Sequence, residues 1–122
     1  MIEKALLQRY IDGWKKKNER DILIPLSDDC LIIESHGPMY QGKETVRKWI
    51  ADWFGKGNQI EKWEIKTFYL CGGHFVSEWT FAYQNPEVRE EFEGITIATV
   101  ENGKITELRE YRSTASPFFW KE

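Results

Sequence analysis

The chain has 122 residues, 41% of them hydrophobic and 30% charged, and a formal net charge of −3 from 17 basic and 20 acidic side chains. That length suits a single domain, 1–122, able to bury about two thirds of its unfolded surface without a disulfide or metal staple. The basic residues are dispersed, with Lys15-Lys16-Lys17 the only run, which argues against nucleic acid as the main partner, and no segment approaches about 18 apolar residues, so no membrane span is expected.

Residues 2–17 place Ile2, Ala5, Leu6, Tyr10, Ile11 and Trp14 at helical spacing. Asn18 can end that helix, and Asn18 or Asp21 can cap a short second helix over 19–26. Ser27-Asp28-Asp29 reads as a turn and residues 30–35 as a strand, which His36-Gly37-Pro38 breaks. A third helix is predicted from Gly42 to about Phe54, closed by Gly55 and Gly57. Strands follow over 59–70, 74–84, 91–101 and 104–112, with Asn102-Gly103 a strong hairpin signal. Helices first and strands later point to an α+β fold, in which three N-terminal helices cap the concave face of a twisted, mainly antiparallel sheet.

Cys30 and Cys71 have no metal-ligand spacing, and two histidines add little to them, so no metal is expected. One disulfide is open as an alternative, but reduced thiols in a cytoplasmic protein are the simpler reading, and no apolar leader segment is seen. No Gly-rich phosphate loop, Gly-x-Ser-x-Gly, Cys-x-x-Cys or His-Glu-x-x-His motif is seen, and no cofactor is expected. The six Trp, seven Phe and five Tyr exceed what a core of this size needs and suggest a lined cavity or a partner surface.

Three local phrases carry a resemblance: Gln8-Arg9-Tyr10-Ile11, Asp28-Asp29 leading into a strand that ends in Glu34, and Gly94-Ile95-Thr96-Ile97 with Asn102-Gly103-Lys104-Ile105 and Arg109-Glu110-Tyr111. With Gly42 before the third helix, they make the chain resemble the SnoaL-like and ketosteroid isomerase-like branch of the nuclear transport factor 2-like superfamily over nearly its whole length. The resemblance implies a cone-shaped α+β barrel and a cavity between helices and sheet. It also implies a small apolar or polycyclic ligand, and a ketosteroid isomerase-like or polyketide cyclase-like activity. Ketosteroid isomerases use a helix tyrosine to donate to an oxyanion, a strand carboxylate as base, and a second, protonated acid as another donor. Tyr10 matches the tyrosine and Glu34 the base. The position of the second acid falls near Thr96, and that of a supporting tyrosine at Ile50.

The residues themselves leave several roles open. Cys30, Ile32 and Glu34 share one strand face. Glu34 ends an otherwise apolar run, so it lies either at a cavity mouth, where it suits a general base or acid, or in solvent or an ion pair. Tyr10 is on the buried side of its helix with Trp14 and either donates to a ligand or bonds a core carbonyl or Glu34. Strand 74–84 sets Phe75, Ser77, Trp79, Phe81 and Tyr83 on one face, for a cavity wall, a dimer interface or core. Trp49 and Trp53, four apart, can form the opposite wall. The family register turns Leu108 and Glu110 inward, making Glu110 either a second cavity carboxylate or a salt-bridged surface residue. His36 is a proton shuttle at the mouth or an exposed loop residue. Charges from Glu87 to Glu93 read as a solvated strand edge, and Phe118-Phe119-Trp120 is expected to dock.

Two functions follow. One is a cofactor-free proton-transfer enzyme acting on a small apolar carbonyl compound. Its catalytic candidates are Glu34, Tyr10, Glu110, Thr96 and His36, and its ligand contacts Trp14, Ile32, Trp49, Trp53, Trp79, Phe81 and Leu108. The other is a non-catalytic small-molecule-binding module or a homodimer joined through the sheet.

Overall fold

Leu7, Tyr10, Ile11 and Trp14 lie on the one buried stripe of helix α1 (Ile2–Lys15). Lys17 turns the chain with a positive φ of 56°, and the Asn18 side chain then accepts the Asp21 N–H at 3.1 Å, capping helix α2 (Glu19–Leu23). The computed structural model describes residues 2–121. Its remaining elements are β1 (Leu26–Glu34), β2 (Met39–Gln41), helix α3 (Lys43–Gly55), β3 (Gln59–Cys71), β4 (His74–Gln84), β5 (Arg89–Glu101) and β6 (Lys104–Arg112).

The strands form one six-stranded sheet in the order β2-β1-β6-β5-β4-β3. β3 to β6 make the expected antiparallel meander, and β1 joins it parallel to β6. The Asn102-Gly103 turn joins β5 to β6 with φ values of 50° and 74°, the positive pair that a tight hairpin needs.

Several boundaries differ from expectation. Helix α2 stops at Leu23 because Pro25 cannot sit in a helix interior; its carbonyl instead accepts the Ile105 N–H at 2.8 Å, starting the β1–β6 pairing. Ser27-Asp28-Asp29 is therefore part of β1, at the register shift between Leu26 and Leu31, where Gln41 Nε2 donates to the Asp29 carbonyl at 2.8 Å. β2 is an addition: three residues are too few for alternation to register, yet it pairs antiparallel with β1 through Leu31, Ile32 and Ile33. The charged run before Glu93 is an edge on one side, as expected: β5 pairs with β6 only from Gly94 onward, so Arg89 to Phe92 pair with β4 alone. Several of its charges are paired across to β3, Arg89 with Glu61 at 2.9 Å, Glu91 with Lys62 at 3.1 Å, and Glu93 with Lys66. The cysteines are free, Cys30 buried and Cys71 exposed. Phe118, Phe119 and Trp120 do not dock: they are 82%, 85% and 82% exposed, following a Ser-Thr-Ala-Ser-Pro stretch that forms no element. Among the described residues no helix is long and apolar enough to cross a membrane.

The face of the sheet covered by α1 and α3 is layered in rows. Phe75, Ala98, Leu108 and Ile32 are cross-strand neighbours and all lie in the buried core. The next row runs Ser77, Thr96, Glu110, Glu34, and the one after it Trp79, Gly94, Arg112. Gly94 is required by contact: a Cβ there would meet the Trp79 ring at 2.2 Å and the Tyr111 carbonyl at 2.6 Å. Gly94→Ala is expected to cost about 1–3 kcal/mol or more through overpacking, read as a lower midpoint in urea denaturation.

Candidate functional site

A pocket of about 420 Å³ opens where the polar row meets the helices. Helix α1 contributes Tyr10 and Trp14, and α3 contributes Trp49 and Trp53 from positions one turn apart. Trp63 of β3, Trp79 and Phe81 of β4 and Phe92 of β5 complete an aromatic wall. Glu34, His36, Tyr40 and Glu110 lie along the side formed by β1, β2 and β6.

The polar row explains which groups face the pocket. Ser77 Oγ donates to the Thr67 carbonyl at 2.8 Å, and Thr96 Oγ1 accepts the Trp79 indole N–H at 2.8 Å. Both residues are fully buried and satisfied within the protein. The other end of the row holds two carboxyl groups, Glu34 and Glu110, directly opposite each other across parallel strands. Tyr40 Oη donates to Glu34 Oε1 at 2.9 Å, and the Tyr40 ring stacks on Trp49 at 4.1 Å with the planes 11° apart. His36 Nε2 lies 3.8 Å from the same Glu34 oxygen and is largely exposed. Among the described residues, no Lys or Arg forms an ion pair with Glu34 or Glu110.

Burial, and then the negative charge of Glu34, push the Glu110 carboxyl up to about 8. Glu110 therefore holds its proton at neutral pH, as expected when two carboxyls share one site. Burial also raises Tyr10, with a further contribution from Glu110 and a smaller one from Glu34, against a lowering contribution from the neighbouring Trp14 indole. Among the described residues its buried hydroxyl finds no acceptor in hydrogen-bonding geometry, and the indole N–H groups of Trp14 and Trp63 are likewise without a partner. Tyr40 is likewise raised, first by burial and then by its bond to Glu34.

Of the expected site residues, Tyr10, Glu34, His36, Glu110, Trp14, Trp49, Trp53, Trp79 and Phe81 all line this one pocket. Three do not. Thr96 is held under Trp79 with its hydroxyl already accepting a bond. Ile32 and Leu108 pair with each other one row below the carboxyls and are fully buried. All three face inward as alternation requires, but lie too deep to be wall. Thr96→Val is expected to strand the buried Trp79 N–H and cost about 1–3 kcal/mol in urea denaturation. Tyr40, Trp63 and Phe92 were not anticipated. Tyr40 had a weak signal, six residues past Glu34 across a His-Gly-Pro turn, as a hairpin partner would be. Among the described residues no cluster of three or more His, Cys, Asp or Glu is placed to hold a metal ion.

The SnoaL-like domain family model matches residues 7–108. A comparison with curated protein sequences gives no significant match. Solved structures with the same fold include a protein of ketosteroid isomerase-like fold from Catenulispora acidiphila in complex with trimethylamine. It is 16% identical with a TM-score of 0.80, covering 89% of this chain and 85% of that one. An LEH-like epoxide hydrolase of M. tuberculosis is 16% identical with a TM-score of 0.79, covering 89% and 80%. TerC, co-crystallised with polyporic acid, is 14% identical with a TM-score of 0.80, covering 93% of each chain. At these identities the likeness is one of fold.

Proposed function

The chain belongs to the SnoaL-like domain family, and from that footing we propose that its pocket binds a small, largely apolar carbonyl compound and moves a proton on it using only the protein's own side chains. The observation that carries this is the Glu34–Glu110 pair, adjacent in register and facing one pocket beside the unpartnered hydroxyl of Tyr10. Glu34 takes the proton from the carbon next to the carbonyl. The electron pair of that C–H bond moves onto the carbonyl oxygen, where the Tyr10 O–H and the protonated Glu110 donate hydrogen bonds to the developing charge. With a β,γ-unsaturated substrate Glu34 then returns the proton at the γ-carbon of the dienolate, an isomerisation; alternatively the enolate carbon attacks a second carbonyl of the same molecule and the alkoxide so formed takes the proton back from Glu34, a cyclisation. Tyr40 holds the Glu34 carboxylate in place, and the aromatic wall excludes water around it. The trimethylamine and polyporic acid bound by two structural neighbours support a small-molecule site in this chain.

The test is α-proton exchange. Enolisable cyclic ketones are incubated with the protein in deuterium oxide and followed by proton NMR. Exchange no faster than in buffer across the series would leave the second reading, a binding module without chemistry. That reading is favoured by Thr96, whose hydroxyl is tied to Trp79 where an acid is expected.

We place the whole chain in one cone-shaped domain that pairs with a second copy through the outer face of its sheet. Support comes from a row crossing all six strands, Met39, Ile33, Arg109, Ile97, Val76 and Tyr69, with Met39 64%, Ile97 40% and Tyr69 63% exposed. Apart from Arg109, which pairs with Glu107 at 2.9 Å, the row is apolar or aromatic, and a stripe of that length suits an interface. Sedimentation at micromolar concentration should show a dimer, and a monomer there would count against it. The free thiols support a reducing, cytoplasmic setting.

A further inference from the structure

The pocket has an uneven charge inventory. Its basic side chains are already engaged: Lys56 pairs with Asp52 at 3.1 Å. Arg112 lies 3.6 Å from the centre of the Phe92 ring, donates to the Ser113 carbonyl at 3.1 Å and approaches Glu90 at 3.6 Å. His36 is exposed and reaches only Glu34. The two carboxyls at the end of the polar row thus face the pocket with no fixed cation against either. From Tyr40, which donates to Glu34, the rings form a continuous chain away from the carboxyls. Tyr40 stacks on Trp49, Trp49 meets Trp14 at 4.9 Å, and Trp14 meets Tyr10 at 6.3 Å, the last three ring planes lying at steep angles to one another. The Tyr10 hydroxyl in that chain is fully buried and unpartnered, so an acceptor on a ligand is needed as well.

Aromatic faces carry partial negative charge and attract cations, most strongly where water is excluded. An alkylated ammonium group presents methyl groups to such rings and a diffuse positive charge to carboxylates beyond them. A neutral hydrocarbon gains only the first of these contacts, and an anion is repelled by Glu34. The Arg112–Phe92 contact shows that the same wall already accepts a weakly hydrated cation from the protein itself.

We propose that the ligand of this pocket carries an alkylated ammonium group, seated against the pocket-facing surfaces of the Tyr10, Trp14, Tyr40 and Trp49 rings with its charge toward Glu34 and Glu110. The proposal rests on the pocket being the ligand site and adds the charge class to the carbonyl compound inferred above. Its acceptor oxygen meets Tyr10.

The experiment compares choline with its uncharged carbon isostere, 3,3-dimethyl-1-butanol, by isothermal titration of the full chain at pH 7. Choline should bind at least about tenfold more tightly than the isostere. Trp49→Leu keeps the apolar bulk and removes the ring, and should weaken choline about tenfold and the isostere distinctly less, narrowing the gap between the two. Equal affinities for cation and isostere would overturn the inference, as would failure of choline to bind. Deuterium exchange into neutral cyclic ketones would still occur in either case if the proton-transfer reading is right, so the two readings fail separately. The wild-type comparison stands even if the Trp49 variant does not fold.

Discussion

Glu34→Gln is expected to lower α-proton exchange by a factor of about 10²–10⁴, the usual loss when a positioned general base is removed. The variant isolates the base because little else changes. Gln has nearly the same size, and its amide oxygen can still accept the Tyr40 hydroxyl that reaches Glu34 Oε1 at 2.9 Å in the wild type. The side chain is 23% exposed, so neither form is buried without solvent contact, and the fold should survive. Thermal melts of the two proteins should nearly coincide while exchange rates separate. Parallel rates in wild type and variant would remove Glu34 from the chemistry and leave the pocket as a binding site. Tyr40→Phe should act differently. It leaves the base and removes its anchor, so the rate falls less and the loss appears in both kcat and KM.

Periodicity reported the long elements well because each has one buried face. Helix α1 and strands β3 to β6 carry enough residues for a 3.6- or 2-residue repeat to stand out. What it missed depends on contacts distant in the chain. β2 has three residues and exists because β1 offers it a partner across the His36-Gly37-Pro38 turn. The entry of β1 at Leu26 depends on an Ile105 N–H that arrives some eighty residues later. The parallel pairing of β1 with β6 is the same kind of fact, and it is the one that brings Glu34 against Glu110.

Candidate site residues were legible in direction but not in depth. Alternation turns Ile32, Glu34, Thr96, Leu108 and Glu110 to the same side of the sheet, as observed. Whether such a residue is floor or wall depends on its row, and rows are set by cross-strand register. Ile32 and Leu108 are a row too deep. Thr96 shares the row of the two carboxyls but lies beneath Trp79, whose indole N–H has taken its oxygen. Glu110 occupies the next position in that row, directly across from Thr96. The acid expected on β5 is thus matched by a carboxyl on the neighbouring strand.

That placement makes Glu110 costly to the fold, and the cost has a definite pH window. Its carboxyl titrates at about 8 in the folded chain against an ordinary value of 4.5. Between those two values the folded state keeps a proton that the unfolded state gives up, so stability falls as pH rises through the window. Below 4.5 both states are protonated and nothing is lost; above 8 the folded state must hold the charge beside Glu34, and the penalty is complete. At about 1.4 kcal/mol per pH unit, the full effect is on the order of a few kcal/mol. Glu110→Gln removes the titration while keeping the shape and a hydrogen-bond donor. The variant should match the wild type near pH 4.5 in urea denaturation and exceed it progressively up to pH 9, where the gap is largest. Curves that run parallel across this range would show that Glu110 carries no buried proton. A widening gap together with slower exchange in the same variant would show one carboxyl serving the site at the expense of the fold, a conflict expected where a binding pocket is built from the end of an otherwise satisfied polar row.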